Sequence, residues 1–154
     1  MTCRDNFQRD LKRGERVEAK ILEMVKRKYP DAYKVKGYCK EGDIYIPSKG
    51  EWIEVKYDPM SNETGNIVVE IEFNGKPSAL STTKSYRWVF YTDKELIITT
   101  PEILKKIIKD NELTPRKFVG NGDRHAKLAY LIKKYLIRNT ALYTQEIKSP
   151  KLGT

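Results

Sequence analysis

Two carboxylates and a lysine are spaced so that they can share one site on two neighbouring strands. The run EWIEVKY at 51–57 alternates, so Glu54 and Lys56 point to the same face, roughly 6–7 Å apart along a strand. Asp43 begins the preceding run, DIYIP at 43–47, and a hairpin between the two runs would bring it back beside Glu54. Paired carboxylates are hard oxygen ligands of the kind that Mg²⁺ or Mn²⁺ prefers. Lys56 is then a cation that can hold a phosphate, orient water or stabilise developing charge.

The Glu-x-Lys string alone is weak evidence in a chain this rich in lysine. It also occurs at 18–20 and at 146–148, but only the copy at 54–56 lies on a predicted strand with an aspartate at a hairpin's distance upstream. A cross-strand ion pair on a solvated sheet face is the alternative, and such pairs are common. On these three residues alone, a catalytic site and a surface ion pair both remain open.

A third acidic residue stands out in the first helix, which the sequence predicts over 5–29 and which ends at Pro30. Glu18 falls on the apolar seam of that helix, where a carboxylate is costly unless it is paired or bound to metal. The alternative is a slightly rotated helix, with Val17 or Leu22 inside and Glu18 at the rim. The seam alternates steps of four and three residues: Phe7, Leu11, Gly14, Glu18, Ile21 and Val25.

The elements that must position these residues belong to one α+β (α/β) domain, over 1–154, with a central mixed sheet flanked by helices. Helices are predicted after a Thr100 cap with Pro101 at the first position, and over about 124–138. The remainder, about 139–154, is predicted to be a flexible tail. Strands are predicted at 32–38, 43–47, 51–57, 66–73, 86–91 and 96–99.

The spacing of these residues resembles that of the PD-(D/E)XK nuclease superfamily, in its Holliday-junction resolvase and phage endonuclease branches. The later run TGNIVVEIEFNGKPSALSTTKSYRWVFY is similar to phage-encoded members, so the resemblance covers roughly residues 10–100. One position departs from the pattern, because Gly42 stands where the motif's name has proline. The matching motifs are Gly14-x-x-x-Glu18, then Asp43, then Glu54-Val55-Lys56.

The resemblance implies a restriction-endonuclease-like core and a metal-dependent hydrolysis of phosphodiester bonds. By it, Asp43, Glu54 and the main-chain carbonyl of Val55 would bind Mg²⁺ or Mn²⁺, and Lys56 would be the catalytic lysine. Glu18 would be the acidic residue of the helix, in contact with the metal directly or through water. The resemblance leaves two further acids open. Glu15 is a rival to Glu18, and Glu70 is either an outer carboxylate of the site or an exposed strand acid beside Glu72.

The charge balance favours a polyanionic partner. Thirty Lys and Arg face 21 Asp and Glu, a formal net charge of +9, which suits DNA and is also found in basic proteins that bind none. The predicted last helix would carry Lys127, Lys134 and Arg138 on one stripe, although an ordinary solvated helix face looks the same. The candidate DNA-contacting residues are Lys84, Arg87, Arg124, His125, Lys127, Lys134 and Arg138.

Other classes of protein fit poorly. No apolar run approaches a membrane span, the first residues lack the apolar core of a secretory signal, and two cysteines suggest a reducing compartment. These absences lead us to expect a cytoplasmic protein with no membrane partner. The resemblance implies a DNA endonuclease of a bacterial or phage-infected cell, of site-specific or homing type. Cutting both strands would require a homodimer. A Holliday-junction resolvase-like nuclease and a non-catalytic DNA-binding protein of the same fold are the alternatives.

Overall fold

The computed structural model describes residues 3–37, 39, 41–119 and 125–148. Four α-helices occur among them, α1 (Cys3–Lys28), α2 (Ser61–Thr64), α3 (Pro101–Asp110) and α4 (Lys134–Thr140), together with a short 3-10 helix at Ala79–Ser81. The strands in the same residues are β1 (Tyr33–Lys34), β2 (Ile44–Ile46), β3 (Glu51–Tyr57), β4 (Asn66–Phe73), β5 (Lys76–Pro77), β6 (Arg87–Tyr91), β7 (Glu95–Thr99), β8 (Arg116–Phe118), β9 (Lys127–Lys133) and β10 (Tyr143–Glu146). None of these helices is long and apolar enough to cross a membrane.

The larger of two sheets holds the strands predicted to carry the site. Its order is β1-β2-β3-β6-β7-β10, and β3 and β6 run parallel while the other pairs are antiparallel. Helix α1 covers one face, where Val17 and Ile21 pack with Ile53 and Val55 in one apolar cluster. Because side chains alternate along β3, the same pleat that buries Ile53 and Val55 directs Glu54 and Lys56 to the opposite face.

A smaller antiparallel sheet, of order β5-β4-β9-β8, packs against that opposite face. Ile67 and Val69 of β4 and Ile132 of β9 form its inner side, and they cluster with Trp88 and Phe90 of the larger sheet. Helix α3 closes this second core, capped as predicted by the Thr100 side chain, which accepts from the Ile103 amide at 3.1 Å. The mixed α+β class predicted from the sequence is confirmed, but the apolar residues divide between two sheets where one was predicted.

Two predicted segments differ in the C-terminal part of the chain. The helix predicted over about 124–138 is wrong, because 127–133 form strand β9 and the helix covers only Lys134–Thr140. Apolar residues at 128, 131 and 132 fit a helical period, but β9 gains pairing on both edges, with β4 and with β8. The flexible tail predicted over about 139–154 is also wrong where Tyr143–Glu146 pair with β7. Residues 149–154 lie outside the described residues.

Candidate active site

Asp43 is fixed at the point where three strands meet. Its amide donates to the carbonyl of Ile53 at 2.9 Å, and its own carbonyl accepts from the amide of Val35 at 2.9 Å. Its side chain extends the β2–β3 ladder by one bond, since Oδ2 accepts from the amide of Val55 at 2.8 Å. The hairpin therefore places the Asp43 carboxylate directly beside the strand segment that carries Glu54 and Lys56.

The surroundings of Asp43 disfavour its negative charge. Burial raises its pKa, the nearby Glu54 carboxylate raises it further, and together they bring it to about 6 from an ordinary value of 3.8. The hydrogen bond from Val55 and the charges of Lys56 and Lys34 act in the opposite direction, but they do not compensate. Two carboxylates that repel in this way are stabilised in their ionised forms by a cation between them.

Glu54 and Lys56 stand side by side on β3, as the alternation predicted. Lys56 Nζ lies 3.1 Å from Glu54 Oε1, and it also lies 5.7 Å from the centroid of the Trp88 ring. The lysine side chain remains 42% exposed, whereas that of Glu54 is 17% exposed. The ammonium group is thus held against the site and is still accessible to a ligand from solvent.

Glu18 approaches the site from helix α1. Val17 is buried and Glu18 is half-buried, so the rotated arrangement with Glu18 at the rim is the one found. Burial raises the pKa of Glu18, a hydrogen bond from Lys34 lowers it, and the nearby Asp43 charge raises it again. Lys34 Nζ lies 3.0 Å from Glu18 Oε2, a partner that nothing in the sequence pattern had indicated.

A cleft opens beside Glu18, between α1 and the end of β3. It has a volume of about 620 Å³, and its lining includes Glu15, Glu18, Tyr57 and Met60. Glu15 is exposed in this cleft, whereas Glu18 interacts electrostatically with Asp43. Its burial and the influence of the Asp43 charge therefore favour Glu18 over Glu15 as the helix acid near the strand carboxylates.

Glu70 lines a small recess together with Glu54. The recess, of about 100 Å³, is lined by Glu54, Lys56 and Glu70 together with Thr83 and Trp88. Ser78 Oγ donates to Glu70 Oε2 at 2.7 Å, which holds the carboxylate at the recess. Glu70 is therefore half-buried beside Glu54 and Lys56, and its role as an outer carboxylate of the site stays a prediction.

The donor set suits Mg²⁺ in kind, although no group of three or more His, Cys, Asp and Glu side chains in the described part of the chain is arranged to hold a metal ion. Mg²⁺ characteristically retains several waters and binds through one or two carboxylates plus substrate phosphates. Asp43 and Glu54 provide such a pair, and the backbone carbonyl of Val55 lies between Glu54 and Lys56 on the same strand. The residues present therefore fit a magnesium ion that completes its coordination with water and phosphate.

Packing favours glycine at the position before Asp43. A Cβ atom at Gly42 would lie 2.6 Å from Ser85 Oγ and 3.1 Å from both the Ile53 carbonyl oxygen and Trp52 Cβ. Ser85 Oγ is itself engaged, because it donates to the Glu41 carbonyl at 2.7 Å. A larger residue at this position would therefore have to displace its neighbours, which disfavours any side chain beyond hydrogen.

The candidate DNA contacts do not form the predicted helical stripe. Lys134 is buried and contacts Asn62 Oδ1 at 3.0 Å and Glu95 Oε1 at 3.3 Å, and Arg138 binds Glu95 through Nε and Nη2. Both cations are therefore engaged within the protein, and the prediction that they share a stripe with Lys127 is wrong.

The remaining candidates lie elsewhere on the surface. Lys84 is exposed just before β6 and Arg87 at its start. Lys127 is exposed at the start of β9, and His125 is exposed two residues before that strand. Arg124 lies outside the described residues. No protein-family model, curated protein or solved structure matches this chain, so these assignments depend on the residues and their geometry.

Proposed function

We propose that this protein is a Mg²⁺-dependent endonuclease that hydrolyses phosphodiester bonds in DNA, built on a restriction-endonuclease-like core. The observation that carries the proposal is the placement of Asp43. Its carboxylate is bonded to the Val55 amide at 2.8 Å, in the middle of the Glu54-Val55-Lys56 segment, and its charge is disfavoured there. A carboxylate pair held beside an accessible lysine has the composition expected of a phosphodiester-hydrolysing centre.

Each residue then has a distinct part in the reaction. Asp43, Glu54 and the Val55 carbonyl would hold the ion, which when bound neutralises charge on the phosphate and lowers the pKa of a bound water. Lys56 donates from Nζ to a non-bridging phosphate oxygen and stabilises the charge that develops there. Glu18 holds Lys34 at 3.0 Å and adds negative charge on the side of the site that faces α1.

The overall charge supports DNA as the polyanion. The formal net charge of +9 draws the chain to a phosphate backbone, and Lys84 and Arg87 add exposed cations next to strand β6, which pairs with β3. A chain with one such centre cuts one strand at a time, so we propose that cleavage of both strands requires a homodimer.

A cleavage assay with two substrates tests the proposal. Supercoiled plasmid and a four-way junction are incubated with the purified chain in Mg²⁺ or in EDTA. The wild type should nick plasmid only in Mg²⁺, and Asp43→Asn should abolish nicking. The matched control is Asp110→Asn, which removes an exposed carboxylate on α3 and should cleave like the wild type.

Two results would redirect the assignment. Binding of DNA without cleavage in Mg²⁺ or Mn²⁺ would contradict the nuclease proposal and favour a non-catalytic DNA-binding protein of the same fold. Selective cleavage of the junction would retain the chemistry but favour a resolvase-like enzyme.

A further inference from the structure

A row of side chains crosses the smaller sheet on the face directed away from its core. Lys127 of β9 pairs with Phe73 of β4 on one side and with Phe118 of β8 on the other. Directly opposed residues of antiparallel strands point to the same face, so the three side chains form one row, phenylalanine, lysine, phenylalanine. With strands about 4.8 Å apart, the two aromatic positions are roughly 10 Å from each other.

A β-bulge creates this arrangement. By strict alternation Phe73 would share the buried side of Ile67 and Val69, but the register shifts between Glu70 and Glu72. The extra residue turns Phe73 to the outside, where it is 41% exposed and its ring lies 5.8 Å from that of His125 in an edge-to-face arrangement. A large aromatic side chain is thereby exposed on a strand whose neighbouring odd-numbered positions are core.

The same face continues, beyond a row that holds the buried Ala129 and the half-buried Glu70, to apolar positions with a basic border. Val68, which is 47% exposed, pairs with Leu131, and the next positions along β9 and β8 bring exposed Lys133 and Arg116 to this side. We call this surface the outer face: Phe73, Lys127, Phe118, Val68, Leu131, Arg116 and Lys133. Aromatic rings interleaved with cations are complementary to a nucleic-acid strand, whose bases stack and whose phosphates are negative.

The outer face is also close to the candidate active site. Glu70 pairs with Ala129, two residues along β9 from Lys127, and Glu70 lines the recess that contains Glu54 and Lys56. Two residues on a strand span roughly 7 Å. A nucleic-acid strand lying on the outer face would therefore pass next to the residues proposed to cut it.

We propose that the outer face binds an unpaired segment of the DNA substrate, with bases stacked on Phe73 and Phe118 and a phosphate against Lys127. The proposal rests on the proposed function in taking DNA as the substrate. It assigns to the enzyme a preference for DNA with exposed bases, such as single strands, flaps or branch points, over continuous duplex.

Binding of a fluorescent 12-mer of deoxythymidine, measured by anisotropy in EDTA, tests this proposal without cleavage. Phe73→Ala combined with Phe118→Ala should weaken binding about tenfold or more, because each base stacked on an aromatic ring contributes about 1–3 kcal/mol and 1.4 kcal/mol is tenfold. The double variant that carries Phe73→Tyr and Phe118→Tyr should bind the oligonucleotide like the wild type. Lys127→Gln should lower the salt slope by about 0.7, the value for one phosphate contact on a single strand.

Tyr143→Ala is the matched control, since Tyr143 is 48% exposed but lies on β10 of the larger sheet. Its affinity for the oligonucleotide should equal that of the wild type. Because Phe118 is partly buried, circular dichroism should accompany the measurement. If the double variant is not folded, Phe73→Ala alone, at a more exposed position, should still weaken binding by about fivefold or more.

The outcomes separate this proposal from the nuclease assignment. The outer-face proposal is wrong if the folded alanine variants bind the oligonucleotide with wild-type affinity, or if Tyr143→Ala weakens binding as much as they do. Either result would overturn it even if plasmid cleavage depends on Asp43. Phenylalanine-dependent binding by a chain that never cleaves DNA would support it and contradict the nuclease function. If light scattering shows a dimer that the alanine variants dissociate, with oligonucleotide binding unchanged, the face binds a second copy and the proposal is wrong.

Discussion

Replacement of Asp43 by asparagine should make the metal-free protein more stable at neutral and alkaline pH. The pKa of Asp43 is raised from 3.8 to about 6, so the folded state holds this proton more tightly than the unfolded state. The stabilisation that the protonated group provides is complete below pH 3.8 and is lost as the pH rises through about 6. Above that pH the ionised, partly buried carboxylate destabilises the fold.

The size of the effect follows from the raised pKa. A rise from 3.8 to about 6 corresponds to up to roughly 3 kcal/mol, at about 1.36 kcal/mol per pKa unit. The substitution preserves the local backbone, because an asparagine side-chain carbonyl can still accept the hydrogen bond that the Val55 amide donates at 2.8 Å. For a chain of this length the gain would raise the melting temperature by roughly 5–10 °C.

Thermal melts followed by circular dichroism provide the assay. In EDTA at pH 8, Asp43→Asn should melt above the wild type, and the difference should shrink at pH 4. Added Mg²⁺ should stabilise the wild type but not the variant, because only the native site binds the ion. Asp110→Asn is the control, since an exposed ion pair contributes only about 0–1 kcal/mol. A variant that is no more stable than the wild type at pH 8 in EDTA would refute the argument that burial and Glu54 disfavour the Asp43 charge.

Four further substitutions test other parts of the structure. Lys56→Ala should slow single-turnover cleavage by about a hundredfold or more while DNA binding changes little, and wild-type cleavage would leave Lys56 as a surface ion pair only. Glu18→Gln should lower cleavage with the melting temperature kept or raised, because burial raises the pKa of this group; a destabilised variant would make Glu18 structural. Gly42→Ala should lower the unfolding free energy by about 1–3 kcal/mol, since a Cβ atom would lie 2.6 Å from Ser85 Oγ. An unchanged midpoint of urea unfolding would contradict this packing. Glu95→Gln should lower the unfolding free energy by about 3 kcal/mol in the same urea titration, because it leaves the buried Lys134 without its carboxylate partner. A decrease no larger than that of an exposed ion pair would contradict a structural role for the pair.

The candidate site shows how far local patterns extend. Alternation in EWIEVKY was enough to place Glu54 and Lys56 on one face, and the short connection before it was enough to predict the hairpin that returns Asp43. Both depend on strand geometry over a few residues, which is the range in which sequence patterns are informative. The role of these residues in catalysis is still a prediction.

Pairing between segments that are distant in the sequence determined the C-terminal secondary structure and the ion pairs between elements. Residues 127–133 match a helical period as well as a strand, and only the edges offered by β4 and β8 make them a strand. The ion pairs of Glu18 with Lys34 and of Glu95 with Lys134 join separate elements, so no local pattern contains them.

The sequence by itself determined the composition of the site and the charge of the surface, because residue type and alternation are local properties. The tertiary structure determined which side chains are paired within the protein and which are exposed to solvent. It engaged Lys134 and Arg138 with Glu95, and through one bulge in β4 it turned Phe73 from the core side to solvent. The physical reason is that register and burial are set by the partner strand, and a shift of one residue exchanges the two faces of a sheet.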